Sequence, residues 1–132
     1  MPALESRTIT LWIDRPSDLV YAFASSPENL VKWASGLGDT IRQAGDEWTV
    51  QGPSGLVTLH FAPPNAYGVL DHRVLLPSGD VVEVPMRVIP NGTGSEIQFT
   101  LFRQPDMSQE RFEDDARWVE RDLHNLKRIL EA

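Results

Sequence analysis

The sequence predicts an α+β domain in which seven antiparallel strands accompany one long C-terminal helix. Three observations predict it: a strand pattern at residues 7–13 followed by two short helix patterns, six strand patterns between residues 39 and 102, and a helical period after residue 108. The 132 residues suffice for one domain with a hydrophobic core and are too few for two ordinary ones. We therefore expect residues 1–132 to form a single domain.

The first strand pattern is RTITLWI, residues 7–13, in which apolar and polar side chains alternate. Alternation is typical of a strand with one buried face. The next segment, DRPSDLVYAFA, has Pro16 in a place that suits a first helical turn. SPENLVKW then has Ser26 as a cap and Pro27 at the first helical position. Two short helices are thus predicted after the first strand.

Six further strands are predicted between turn-rich segments. They cover roughly residues 39–43, 47–52, 55–62, 68–76, 80–89 and 95–102, and the separators are AGDE, GPSG, APPNAY, LPSGD and PNGTGS. Such short connections favour antiparallel neighbours. Pro85 interrupts one of these patterns, because proline cannot donate a ladder hydrogen bond. We expect a bulge there, which could change the facing of Met86 and Arg87.

The C-terminal segment predicts one long helix capped by Ser108, with Met107 and Phe112 placed as a hydrophobic staple. An amphipathic helix needs an apolar surface to cover, and the sheet is the large candidate. The apolar stripe, at intervals of 3 or 4 residues, consists of Phe112, Ala116, Val119, Leu123, Leu126 and Leu130.

This order of elements resembles the helix-grip superfamily (SRPBCC), which includes START lipid-transfer domains and polyketide cyclase-like proteins. The resemblance spans essentially the whole chain and is most specific in RPSDLVYAF, PENLVKW and the terminal helix. YGVLDHRVLLPSG and VPMRVIPNGTGSEIQFTLFR are also similar to a bacterial polyketide cyclase-like subgroup. The superfamily implies a curved sheet wrapped around the last helix, with a cavity between them for an apolar or aromatic ligand. It does not fix a reaction, because its members include carriers, binders and enzymes.

Residues 68–88, GVLDHRVLLPSGDVVEVPMRV, decide which polar side chains reach such a cavity. The turn LPSGD predicts a three-residue hairpin loop with a glycine bulge, which pairs Leu76 with Asp80. In this register His72 shares a face with apolar residues, so we expect it to point inward. The opposite face, where cross-strand ion pairs are expected, carries Asp71, Arg73, Glu83 and Arg87.

Two other interpretations of this hairpin stay open. One turns the charged face toward the cavity and makes Asp71 and Arg73 catalytic. The other keeps His72 inside only as a buried histidine, satisfied by a backbone carbonyl or by the hydroxyl of Tyr21 or Tyr67.

The sequence predicts no metal site and no cofactor. It has no cysteine, and its three histidines are not at metal-ligand spacing. His60 is expected on the outer surface, and His124 is expected at the flank of the long helix. On the hairpin, no carboxylate shares the predicted face of His72.

The net charge of -7, from 19 acidic and 12 basic residues, disfavours nucleic acid and anionic membranes as partners. The acidic cluster 110–115 suits the start of a helix, because negative charges there are stabilised by the positive end of the helix dipole. No apolar run approaches the roughly 20 residues of a membrane span, and no secretory signal is recognisable at residues 1–10. We expect a cytoplasmic protein without membrane insertion, and a homodimer through an exposed strand edge stays possible.

The first functional hypothesis is binding of a small apolar or aromatic molecule in the cavity between sheet and helix. The second is a cyclase, dehydratase or isomerase that uses His72 as acid and base. The third is a protein-interaction module of the chaperone-activator type, for which Trp12 would seed an exposed apolar patch. The residues expected to line the cavity are Trp33, Trp48, Val50, Leu59, Phe61, His72, Val84, Met86, Phe99, Phe112, Ala116 and Val119.

Overall fold

The computed structural model describes residues 2–35 and 40–132. Within them the chain forms an α+β fold with a long C-terminal helix, as the sequence predicts. The elements are β1 (Ser6–Ile13), α1 (Ser17–Ala24), α2 (Pro27–Trp33), β2 (Ile41–Ala44), β3 (Glu47–Gly52), β4 (Gly55–Phe61), β5 (His72–Leu75), β6 (Val81–Val84), β7 (Met86–Asn91), β8 (Gly94–Phe102) and α3 (Gln109–Glu131). Residue 39, the predicted start of the second strand, lies outside the described residues.

The strands form two antiparallel sheets. One has the order β1-β8-β7, and the other has the order β2-β3-β4-β5-β6. The described residues contain eight strands where seven were expected, because the predicted strand 80–89 divides at Pro85 into β6 and β7. The chain passes from the five-stranded sheet to the three-stranded sheet at that residue.

The expected bulge at Pro85 is wrong. His72 lies opposite Val84 and Val69 lies opposite Arg87, so the pairing register is the same on both sides of the proline. Met86 is therefore buried on the same face as Val84, and its facing is unchanged.

The Asp71 carboxylate binds both residues that follow Pro85. Its Oδ1 accepts a hydrogen bond from the Met86 backbone N–H at 2.9 Å, and its Oδ2 accepts one from Arg87 at 2.9 Å. The Pro85 carbonyl accepts from the Thr100 N–H of β8. A side-chain carboxylate thus supplies an acceptor where the ladder is interrupted, and no extra residue is needed.

The predicted hairpin register is confirmed. The Leu76 N–H donates to the Asp80 carbonyl, and Gly79 adopts the left-handed conformation with φ of 92°. Arg73 and Glu83 form an exposed ion pair at 2.7 Å on the face opposite His72. The charged residues therefore line the outer face, and the histidine faces inward.

Gly68 is required where the hairpin approaches β7. It has φ of 71°, and a Cβ built on it would lie 2.0 Å from the Val88 carbonyl oxygen. The Val88 N–H donates to the Gly68 carbonyl at 2.9 Å. A side chain at this position would therefore force apart the two segments that carry the register past Pro85.

Helix α3 covers the sheets with the predicted apolar stripe. The Ser108 hydroxyl caps it by accepting from the Arg111 N–H at 3.1 Å. Five of the six stripe positions are buried and Val119 is half-buried. The C-terminal end of α3 is fastened to the chain after β1, because Arg15 Nε donates to the Leu130 carbonyl at 2.6 Å. Among the described residues, none of the helices combines the length and apolar character needed to cross a membrane.

The ion pairs Asp71–Arg87 and Arg73–Glu83 should differ in their contribution to stability. Asp71→Ala removes acceptors from a partly buried N–H and a guanidinium, so we expect it to lower the free energy of unfolding by about 1–3 kcal/mol. Glu83→Ala breaks an exposed pair and should cost about 0–1 kcal/mol. Urea denaturation of both variants measures this, and equal losses would contradict the role given to Asp71.

Candidate functional site

The main cavity lies between α2, the sheets and α3, and its volume is about 540 Å³. Its polar lining is His72 on β5 and four charged residues of α3, namely Arg111, Asp114, Asp115 and Asp122. The rest of the described lining is apolar: Leu30, Trp33, Ala34, Pro53, Val57, Leu59, Val74, Phe99, Trp118, Val119 and Leu123.

A second cavity, of about 20 Å³, is lined by His72 and by residues that include Tyr21, Leu70, Asp71 and Met86. That volume suits one water molecule and no organic ligand. His72 lines both cavities, as do Leu30 and Trp33.

The His72 ring is held by contacts on three sides. Its centroid lies 5.7 Å from the ring centroid of Phe61 and 6.3 Å from that of Phe99. Its Nδ1 lies 3.0 Å from the Leu70 carbonyl oxygen, the backbone partner that sequence reasoning considered. The two tyrosines considered as its partners do not bind the ring: Tyr21 lines the small cavity but its hydroxyl accepts from the Asn65 N–H, and Tyr67 is exposed.

Burial lowers the pKa of the His72 imidazole below its usual 6.5. The hydrogen bond to Leu70 and the charge of Asp71 act in the opposite direction but are the smaller effects. The ring is therefore neutral at physiological pH. Because a carbonyl oxygen only accepts, Nδ1 carries the proton and Nε2 is left with a lone pair.

Four residues of α3 form one side of the cavity mouth. Arg111, Asp115, Trp118 and Asp122 follow one another at intervals of 4, 3 and 4 residues, which places them on one helix face beside the buried stripe. Arg111 Nε binds Asp115 Oδ1 at 3.0 Å, and the guanidinium of Arg121 lies 4.8 Å from the Trp118 ring centroid. Sequence reasoning missed this face because it treated the acidic cluster as a solvated helix start. The intervals of 4, 3 and 4 residues were the signal in the sequence that could have revealed this face.

Asp122 connects α3 to the end of α2. Its Oδ1 accepts from the Ser35 N–H at 2.9 Å and from the Ser35 hydroxyl at 2.7 Å. Burial raises the pKa of the Asp122 carboxyl, while the hydrogen bonds from Ser35 and the charge of Arg121 oppose that effect. This connection fixes the distance between the two helices that border the cavity.

Trp33 forms a buried part of the cavity wall, with 4% of its surface exposed. Within residues 2–35 and 40–132 its Nε1 has no hydrogen-bond partner. A buried N–H without an acceptor costs about 1–3 kcal/mol, so the position of this side chain is set by its ring packing.

The structure separates the predicted lining residues into three groups. Trp33, Leu59, His72, Phe99 and Val119 line the main cavity. Phe61 and Met86 line only the small cavity of the two, which Trp33 and His72 also border. The others pack into the protein interior and lie outside the lining of both cavities: Trp48, Val50, Val84, Phe112 and Ala116.

The remaining histidines lie where the sequence places them. His60 is exposed on β4, and His124 is exposed on α3 with its Nδ1 2.8 Å from the Glu120 carbonyl oxygen. In the part of the chain that the structure describes, no group of three or more potential metal-ligating side chains comes together. Trp12 is 71% exposed on β1.

Comparison with known proteins reveals the fold and no closer relationship. No protein-family model matches the sequence, and no curated protein matches it. An uncharacterised protein from Bacillus thuringiensis has a similar structure, with a TM-score of 0.79 and 12% identity over 97% of this chain and 100% of that one. So has a START superfamily protein from Mycobacterium smegmatis, with a TM-score of 0.75 and 12% identity over 96% of this chain and 97% of that one.

The Aha1 dimer from Colwellia psychrerythraea is a third similar structure, with a TM-score of 0.76 and 13% identity over 97% of each chain. At these identities the likeness concerns the fold alone. The chain therefore has the START-like fold that its sequence predicts.

The lowered pKa of His72 makes a testable link between pH and stability. As pH falls below 6.5, the unfolded chain takes up a proton before the folded chain does, so the free energy of unfolding should decline until pH reaches the folded-state pKa. A ring-proton NMR titration, with the His72 signal assigned from His72→Phe, should give a midpoint below 6.5. A midpoint at or above that value would contradict the neutral, buried ring.

Proposed function

We propose that this protein binds a small apolar or aromatic molecule in the main cavity. The observation that carries the proposal is a cavity of about 540 Å³ whose described lining is mostly apolar. Ligand pockets in proteins typically have volumes of about 300–1,000 Å³ and combine apolar walls with a few polar groups that orient the ligand. His72 supplies such a group within the wall.

The aromatic side chains of the wall favour a flat ligand. Trp33, Phe99 and Trp118 come from three different elements and all line the main cavity. Aromatic rings gain from stacked or edge-on contacts with other rings beyond the area that they bury. The START-like fold is compatible with this function, although the fold by itself specifies no ligand.

Acid–base catalysis by His72, as in cyclase-type enzymes, is the second candidate. A neutral imidazole in a cavity wall favours it, because such a group can take up a proton near neutral pH. A reaction of this type also requires a group that stabilises the negative charge that develops on the substrate. The other polar lining residues lie on α3, and the Asp122 carboxylate is engaged with Ser35. Binding without catalysis therefore ranks first.

Filling the cavity tests the binding function. Val74 on β5 and Val119 on α3 both line it, so the double variant Val74→Trp/Val119→Trp should narrow it from opposite walls. We expect the affinity for N-phenyl-1-naphthylamine, a neutral probe whose fluorescence rises in apolar sites, to fall at least about tenfold, which is about 1.4 kcal/mol.

The matched control is Leu75→Trp/Val81→Trp. These two residues lie opposite each other in the same hairpin but are exposed on the outer face. The control should bind the probe as the wild type does. Unchanged affinity in the cavity-filled variant, with circular dichroism showing a folded chain, would refute binding in this cavity.

A further inference from the structure

We infer that the ligand of the main cavity carries a neutral hydrogen-bond donor, above all a hydroxyl, which it donates to Nε2 of His72. Ethers and carboxylates of the same shape are disfavoured. This inference rests on the proposed function, since it specifies the chemistry of the molecule held in that cavity.

The backbone sets the direction of this hydrogen bond. The Leu70 carbonyl, 3.0 Å from Nδ1, accepts the proton of the neutral ring. Nε2 is then an acceptor only. It lies at the end of the ring away from the backbone, and His72 is a lining residue of the main cavity. A ligand group that only accepts therefore finds no proton on this side chain.

The described residues make no other hydrogen bond to the His72 ring. The ring contacts are Phe61 and Phe99, neither of which can donate. Among the described residues, the fully buried side-chain atoms without a partner are Trp33 Nε1 and Arg87 Nε, so Nε2 of His72 keeps access to solvent. A ligand that displaces this solvent has to replace its hydrogen bond, and a hydroxyl does so. Nε2 therefore favours a ligand hydroxyl, whereas the unpaired Nε1–H of Trp33 is fully buried and offers an accepting ligand no accessible proton.

The charged side chains of the wall act against carboxylate ligands. The described lining contains Asp114, Asp115 and Asp122 but one cation, Arg111, and that guanidinium already binds Asp115. Asp114 is paired with Arg117, outside the lining. A carboxylate would therefore enter past other carboxylates, lose its hydration, and meet the lone pair of Nε2.

Three naphthalene probes separate these possibilities at about pH 8, where the ring is neutral. We expect 2-naphthol, a donor, to bind about two- to tenfold more tightly than 2-methoxynaphthalene, which only accepts. We expect 2-naphthoate, an anion, to bind at least about tenfold more weakly than 2-naphthol. Isothermal titration calorimetry gives the three dissociation constants.

His72→Phe keeps an aromatic ring between Phe61 and Phe99 but removes Nε2, so the preference for naphthol over its methyl ether should fall to within about twofold. His60→Phe makes the same substitution on the exposed outer face and should keep the wild-type ranking.

The inference is overturned if the wild type binds 2-naphthol no more tightly than 2-methoxynaphthalene, or if it binds none of the three probes. The same holds when His72→Phe folds and keeps the preference. If His72→Phe does not fold, the wild-type ranking decides. Binding of N-phenyl-1-naphthylamine tests the proposed function separately. If the wild type binds this probe and the cavity-filled variant does not, the proposed function stands, whichever naphthalene binds most tightly.

Discussion

The burial of the apolar stripe on α3 is the interaction on which the rest of the structure depends. Phe112 and Ala116 are buried toward one end of the helix and Leu123, Leu126 and Leu130 toward the other, while Val119 between them is only half-buried. Arg103 binds the Met107 carbonyl just before the helix, and Arg15 binds the Leu130 carbonyl near its end. The helix is thus fastened before and after the segment that borders the cavity. The main cavity can persist beside the middle of α3 because the buried residues toward the two ends of the helix provide the hydrophobic stabilisation.

The facing of the chain after Pro85 depends on how the strand register continues past that residue. A bulge would have shifted the register by one residue and exchanged the two faces of the chain beyond it. Asp71 prevents this by accepting the Met86 N–H, and the close approach of Gly68 to Val88 continues the same register. Met86 therefore stays on the face that Val84 and His72 share. An outward-pointing ion pair and an inward-pointing imidazole are consequences of one strand alignment.

Alternation and turn chemistry predicted which face each side chain occupies. They correctly placed His72 inward, His60 outward and the stripe of α3 against the sheets. They could not distinguish cavity from core, because both are lined by the same face and differ only in how closely the opposite element approaches. Val50 and Ala116 share a face with cavity residues, yet neighbouring side chains enclose them completely. The division of the sheet at Pro85 was equally out of reach. A proline in a strand can lead to a bulge, or the register can continue with a carboxylate accepting the N–H of the next residue, as Asp71 does for Met86, and only the three-dimensional arrangement selects between them.

The contrast between the two faces of the β5–β6 hairpin has a consequence for protein engineering. The main cavity receives Val74 and His72 from β5, whereas Arg73, between them, joins the outer row that faces solvent. Substitutions at alternate positions of β5 therefore point either into the cavity or toward solvent. A library that varies the inner positions to recognise a new molecule would keep the outer charged row of the hairpin, which makes this small, cysteine-free chain a candidate scaffold for biosensors.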